Sequence, residues 1–109
     1  MTYRHTVLAD GAWWRLNLSE QLGNIGSEVR RMRVAAGTND DRYVAARDRA
    51  LELFDLTLTD ARLRGRLREI ARAREVFCDT SCGGKEFRSS LVDLEKYFDQ
   101  FAWAARRQL

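Results

Sequence analysis

Apolar residues recur along this chain every three or four positions, and strand-like alternation with polar ones is absent. Leu18, Leu22, Ile25, Val29, Met32 and Ala36 are spaced 4, 3, 4, 3 and 4 residues apart, which puts them on one face of a helix over residues 17–36. A second helix is predicted over 41–58, where Tyr43, Arg47, Ala50, Leu51, Phe54 and Leu58 share a face. A third is predicted over 61–78, with Leu63, Leu67, Ile70 and Phe77 as its stripe. A fourth starts at Ser89 or Ser90 and runs to the end, with Leu91, Leu94, Phe98, Phe101, Ala105 and Leu109 on one face.

The breaks between these segments carry helix-capping chemistry. Asn17 with Glu20, and Ser90 with Asp93, have capping-box spacing. Gly37-Thr38-Asn39-Asp40 ends one helix and caps the next. Thr59 and Asp60 do the same before the third helix, and residues 79–85 form a loop. Gly23 and Gly26 lie inside the first seam. Each costs about 1 kcal/mol relative to alanine in a helix, so the pair predicts a close helix crossing or a kink. Helices of this length with short connections predict one all-α domain over 1–109, an antiparallel up-down four-helix bundle. The first dozen residues are read as an N-terminal arm, and Trp13 and Trp14 as leading into the bundle.

Composition narrows the class. With 45% hydrophobic and 32% charged residues in 109, the chain is neither disordered nor dominated by membrane spans. No apolar run approaches the ~20 residues of a spanning helix. The stretch MTYRHTVLADGAWWRL has no charged-then-apolar leader pattern, which predicts no signal peptide. Two cysteines without a disulfide framework predict a reducing, cytoplasmic setting.

The net charge is only +3, but the basic residues are 17 arginines and 2 lysines. Arginine forks suit phosphates, and arginine-rich usage also follows from genome composition, so placement decides. On a continuous third helix, Arg64, Arg68 and Arg72 form one row opposite the core, with Arg62 and Arg66 in a second row at its flank. Glu69 is the only acid between Ala61 and Arg74. Such a ridge suits a phosphate backbone, and Arg30, Arg31 and Arg33 extend it if they lie nearby. The alternatives are a solvated face paired with acids of the second helix, or an acidic protein partner.

Arg74 and Arg47 fall on apolar stripes, and a buried arginine needs a partner. The expected pairing is a buried Arg74–Glu28 ion pair inside the bundle, and Arg47 is placed at a subunit interface; an active-site arginine is the functional alternative. Trp103 lies opposite Phe98 and would be exposed on a lone bundle, which predicts a subunit or partner contact rather than base stacking.

Catalytic chemistry has no visible carrier. His5 is the single histidine, and Cys78 and Cys82 alone make a poor zinc set, so no metal or cofactor is expected. Gly83-Gly84-Lys85 lacks the preceding strand and the following Ser or Thr of a nucleotide loop and is read as a turn. No Ser/His/Asp set and no arginine-with-histidine pair of toxin nucleases is present. The chain is therefore read as not an enzyme, with no small-molecule substrate and no membrane partner.

Two local stretches carry a resemblance. Glu20-Gln21-Leu22-Gly23-Asn24-Ile25-Gly26-Ser27-Glu28 is similar to a Gln-Leu … Asn-Ile-Ala-Glu-Gly helix, with Gly-Ser-Glu here in place of Ala-Glu-Gly. Gly84-Lys85-Glu86-Phe87 is similar to a Lys-Glu-Phe preceding a late helix. Both resemble a family of small bacterial four-helix bundles. It includes proteins encoded in intervening sequences of large ribosomal RNA genes and the accessory variability protein of diversity-generating retroelements. The resemblance implies a non-enzymatic, basic homo-oligomer, pentameric in the accessory protein, that binds a reverse transcriptase and its template RNA. The expected partners are thus nucleic acid (RNA or an RNA–DNA hybrid), a reverse transcriptase and further copies of the chain. The alternative is an adaptor bundle that binds protein and not nucleic acid.

Overall fold

The computed structural model describes residues 13–81 and 91–107, and over these it is all-α with four helices. They are α1 (Leu18–Ala35), α2 (Asp40–Leu58), α3 (Leu67–Ser81) and α4 (Leu91–Arg107). Short 3-10 turns at Trp13–Arg15 and Ala61–Arg66 precede α1 and α3. None of the helices is long and apolar enough to cross a membrane.

The start of α1 is fixed by a complete capping box. The Glu20 backbone N–H donates to Asn17 Oδ1 at 2.9 Å, and the Asn17 N–H donates back to Glu20 Oε1 at 3.0 Å. The seam expected from the spacing is buried through Leu22, Ile25, Val29 and Met32. It ends on Ala35, because Ala36 is the exposed C-cap. Gly37 then adopts φ +76°, a left-handed conformation that costs glycine least, and Asn39 caps α2 by accepting from the Arg42 N–H. The Ser90–Asp93 capping box, the Gly83-Gly84-Lys85 turn and Leu109 lie outside the described residues.

On α2 the buried line is Ala46, Ala50, Leu53, Phe54 and Thr57. The expected face through Tyr43 and Arg47 sits one step off it: both are half-buried at the edge, and Tyr43 donates its hydroxyl to the Ser81 carbonyl at 2.9 Å. Phe54 unites three helices, with ring centroids 5.5 Å from Phe77 of α3 and 5.9 Å from Phe98 of α4. These tilted and edge-on geometries suit aromatic quadrupoles.

α1 is the best-packed helix, lying against both α2 and α4. Its partners on α4 run Glu95, Phe98, Ala102 as α1 is read back from Arg33 through Gly26 to Gly23. The two glycines mark a close crossing. A Cβ at Gly26 would stand 2.6 Å from Phe98 Cβ, inside contact distance. Gly26→Ala should gain about 1 kcal/mol of helix propensity and lose about 1–3 kcal/mol to overpacking. The expected net is a loss of about 1 kcal/mol, seen as a lower Tm. Gly23→Ala, whose added carbon meets Ala102 Cα at 3.2 Å, should lose less.

Candidate nucleic-acid interface

The third arginine segment is not one helix. Asp60 is 6% exposed and caps the Ala61–Arg66 turn by accepting from the Arg62 N–H. The same carboxylate takes the Arg62 guanidinium, with Nη2 at 2.6 Å and Nε at 3.0 Å, and the Gln21 amide at 3.2 Å. Arg62 Nη2 also donates to the Leu16 carbonyl at 2.8 Å. Arg62 is thus a clamp between the chain before α1 and the chain after α2.

Leu63 leaves helical geometry at φ −102°, ψ 18°, so Arg62, Arg64 and Arg66 turn about a different axis from Arg68 and Arg72. The expected continuous row is corrected accordingly. A 3-10 turn has 3.0 residues per turn and does not continue an α-helical stripe. Arg66 is spent on Glu69, donating through Nη2 at 2.9 Å. Arg72 lines a cleft of about 320 Å³ between α3 and α4, together with Glu69, Asp93 and Tyr97. There burial, and then Glu69, raises the Tyr97 phenol above its ordinary value. Arg64 and Arg68 are exposed, with no acid paired to either among the described residues.

A second basic surface is better formed. Between α1 and α2 runs a groove of about 820 Å³, lined by Arg30, Arg31, Arg42 and Arg49 with Ser27 and Thr38. Buried Glu28 organises two of these side chains. Its Oε1 accepts from Arg31 Nη1, and its Oε2 accepts from Arg49 Nε at 3.2 Å. One carboxylate therefore binds a guanidinium from each helix. Arg30 and Arg42 pair with no acid among the described residues. Asp41 is the carboxylate on the groove's lining. Arg33 parts company with its neighbours: it crosses to α4 and donates to Glu95, which raises the guanidinium above its ordinary value.

The expected Arg74–Glu28 pair is also corrected. Arg74 is half-buried and donates through Nε to Asp55 of α2 at 3.0 Å. α3 packs on α2, so the nearer acid is the one on α2. Arg74 Nη1 further donates to Cys78 Sγ at 3.7 Å. Arg47 is half-buried beside Asp48 at 3.5 Å. Trp103 is 59% exposed, as its helical position predicted. Among the described residues no group of three or more His, Cys, Asp and Glu side chains gathers as a metal site; His5 and Cys82 lie outside them.

Arg42 and Arg49 are the residues sequence reasoning missed. Their spacing of seven, with Ala45 between, puts them on one face of α2. That signal gains meaning only once α2 is known to lie beside Arg30 and Arg31. Comparison with protein-family models, curated proteins and solved structures gives no match for this chain.

The Asp60 junction makes stability depend on pH. The hydrogen bond from Arg62, opposed by burial and aided by the Arg62 backbone N–H and the Gln21 amide, lowers the Asp60 carboxyl from 3.8 to about 2. A depressed folded-state value means that its stabilisation is complete above about pH 4 and is lost as pH falls toward 2. Thermal melts across that window should show Asp60→Asn starting from a lower Tm and losing less of it on acidification than the parent chain.

Proposed function

We propose that this chain is a non-catalytic nucleic-acid-binding protein whose primary contact surface is the α1–α2 groove. The observation that carries this reading is the convergence of Arg30, Arg31, Arg42 and Arg49 on one concave surface. Guanidinium forks bind phosphate oxygens in pairs, and contacts of this kind hold the backbone without reading sequence. Arg64, exposed on the turn before α3, and Arg68, exposed in the first turn of α3, provide a second, smaller set of phosphate contacts.

The similarity of residues 20–28 to a helix of the ribosomal intervening-sequence and accessory variability proteins supports a particular setting. In that setting the chain assembles into a homo-oligomer, a pentamer by analogy. It works in the cytoplasm as an accessory of a reverse transcriptase ribonucleoprotein, binding RNA or an RNA–DNA hybrid. Anisotropy with labelled single-stranded RNA, duplex DNA and a hybrid, from about 50 to 300 mM salt, tests the binding. The expected result is a Kd of about 1 µM near 150 mM salt, the tight end of the sequence-independent range, with a steep salt dependence. Arg30→Gln with Arg42→Gln should flatten the single-strand slope by about 1.4, at roughly 0.7 per phosphate contact. An unchanged slope would remove the groove from the interface.

A second reading rests on Trp103, whose exposure gives α4 an aromatic anchor for protein contact. In that reading the chain is an adaptor bundle and the arginines are solvated. Trp103→Ala should then shift the mass measured by light scattering toward the single chain. Unaltered mass and partner capture in this variant would count against the tryptophan as an interface.

A further inference from the structure

We infer that the α1–α2 groove is a site for a chain of two or three linked phosphates, the group carried at the 5′ end of an unprocessed transcript or on a nucleoside triphosphate. This rests on the nucleic-acid reading and names the part of the ligand that the groove selects. A nucleic-acid backbone spaces its charges one per nucleotide, and a protein that follows it sets its cations along a line. Here four arginines from two helices line a single groove. Convergent cations suit charge concentrated within less than one nucleotide step. A cavity of about 820 Å³ lies in the range of small-molecule sites.

The charge count points the same way. Against four arginines stand buried Glu28 and Asp41, so two positive charges in the groove are uncompensated by the residues that form it. Clustering like charges without partners costs folding free energy, and such local conflicts concentrate where a ligand relieves them. Glu28 spans the two helices and holds Arg31 and Arg49 in place before any ligand arrives. Each guanidinium has five N–H donors, and the ion pair leaves others for a ligand.

The surroundings locate the seat within the groove. Asp40 and Asp41 occupy the first turn of α2, and the Asn39 side chain already accepts from the Arg42 N–H. Carboxylates there repel an anion, so the α2 N-terminus is not the seat. The Ser27 hydroxyl donates to the Gly23 carbonyl at 3.3 Å and the Thr38 hydroxyl to the Ala35 carbonyl at 3.1 Å. Recognition therefore falls to the guanidiniums, with Arg30 and Arg42 as the two not engaged by an acid among the described residues.

The test uses one RNA oligomer in 5′-hydroxyl, 5′-monophosphate and 5′-triphosphate forms, with tripolyphosphate and ATP titrated separately, all near 150 mM salt. The triphosphate form should bind the parent chain about tenfold tighter than the hydroxyl form, through bidentate charge-assisted bonds. Arg30→Gln with Arg42→Gln should abolish that ratio; Arg64→Gln with Arg68→Gln should weaken all three RNAs and keep it. If the double variant in the groove melts early, Arg42→Gln alone carries the comparison. Equal binding of the three RNAs overturns the inference and leaves the nucleic-acid function standing. A triphosphate preference that survives in the groove variant also overturns it. Binding of tripolyphosphate and ATP, lost in the groove variant, without binding of any RNA keeps the site with a free nucleotide as its ligand and overturns the nucleic-acid function. Binding of none of the probes overturns both.

Discussion

The buried polar junction around Gln21 and Asp60 sets the geometry of everything after α2. Gln21 is fully buried and Asp60 nearly so, so the Gln21 amide N–H groups and the Asp60 carboxylate take their hydrogen bonds from the protein, while Gln21 Oε1 has no partner among the described residues. The Gln21 amide donates to the Trp13 and Leu16 carbonyls and to Asp60, which in turn accepts from Arg62. Trp13 closes the circuit by donating its indole N–H to Thr57 at 3.1 Å. Two stretches distant in sequence, residues 13–21 and 57–62, thus meet on hydrogen-bonded groups, whose loss leaves costly unsatisfied partners. The junction also requires Asp60 to cap a tight turn, and that turn diverts the arginines that follow.

This is why helix positions were legible in the sequence and the arginine surface was not. The apolar seam of α1, the Asn17–Glu20 box, the Gly37 break and the exposure of Trp103 are local features, each written in a few neighbouring residues. The 3-10 turn is not local. Residues 61–66 have respectable helical periodicity, and the distant contacts of Gln21 and Leu16 with Asp60 and Arg62 hold the start of this segment as a turn. Projecting them onto an α-helical wheel therefore aligned side chains that do not share an axis.

Ion pairing failed as a sequence inference for a related reason. Arg74 had two acids to choose between, Glu28 and Asp55, and the choice was made by which helix lies next to α3. Glu28 in turn belongs to the interface of α1 with α2, where it binds Arg31 and Arg49. Arg30 and Arg31 were recognised as basic. Their partnership with Arg42 and Arg49 depends on helix adjacency, which hydrophobic spacing alone does not encode.

α1 serves two neighbours at once. Gly23 and Gly26 face α4, and Glu28, two residues on, faces α2. One residue added between them would rotate the following half of the helix by about 100° and carry Glu28 and Arg31 away from the groove while the glycines stayed at the crossing. No loop lies within the helix to absorb such a change. The middle of α1 is therefore open to divergence by substitution and closed to divergence in length, so lineages that vary here should keep a constant count of residues between the crossing and the groove.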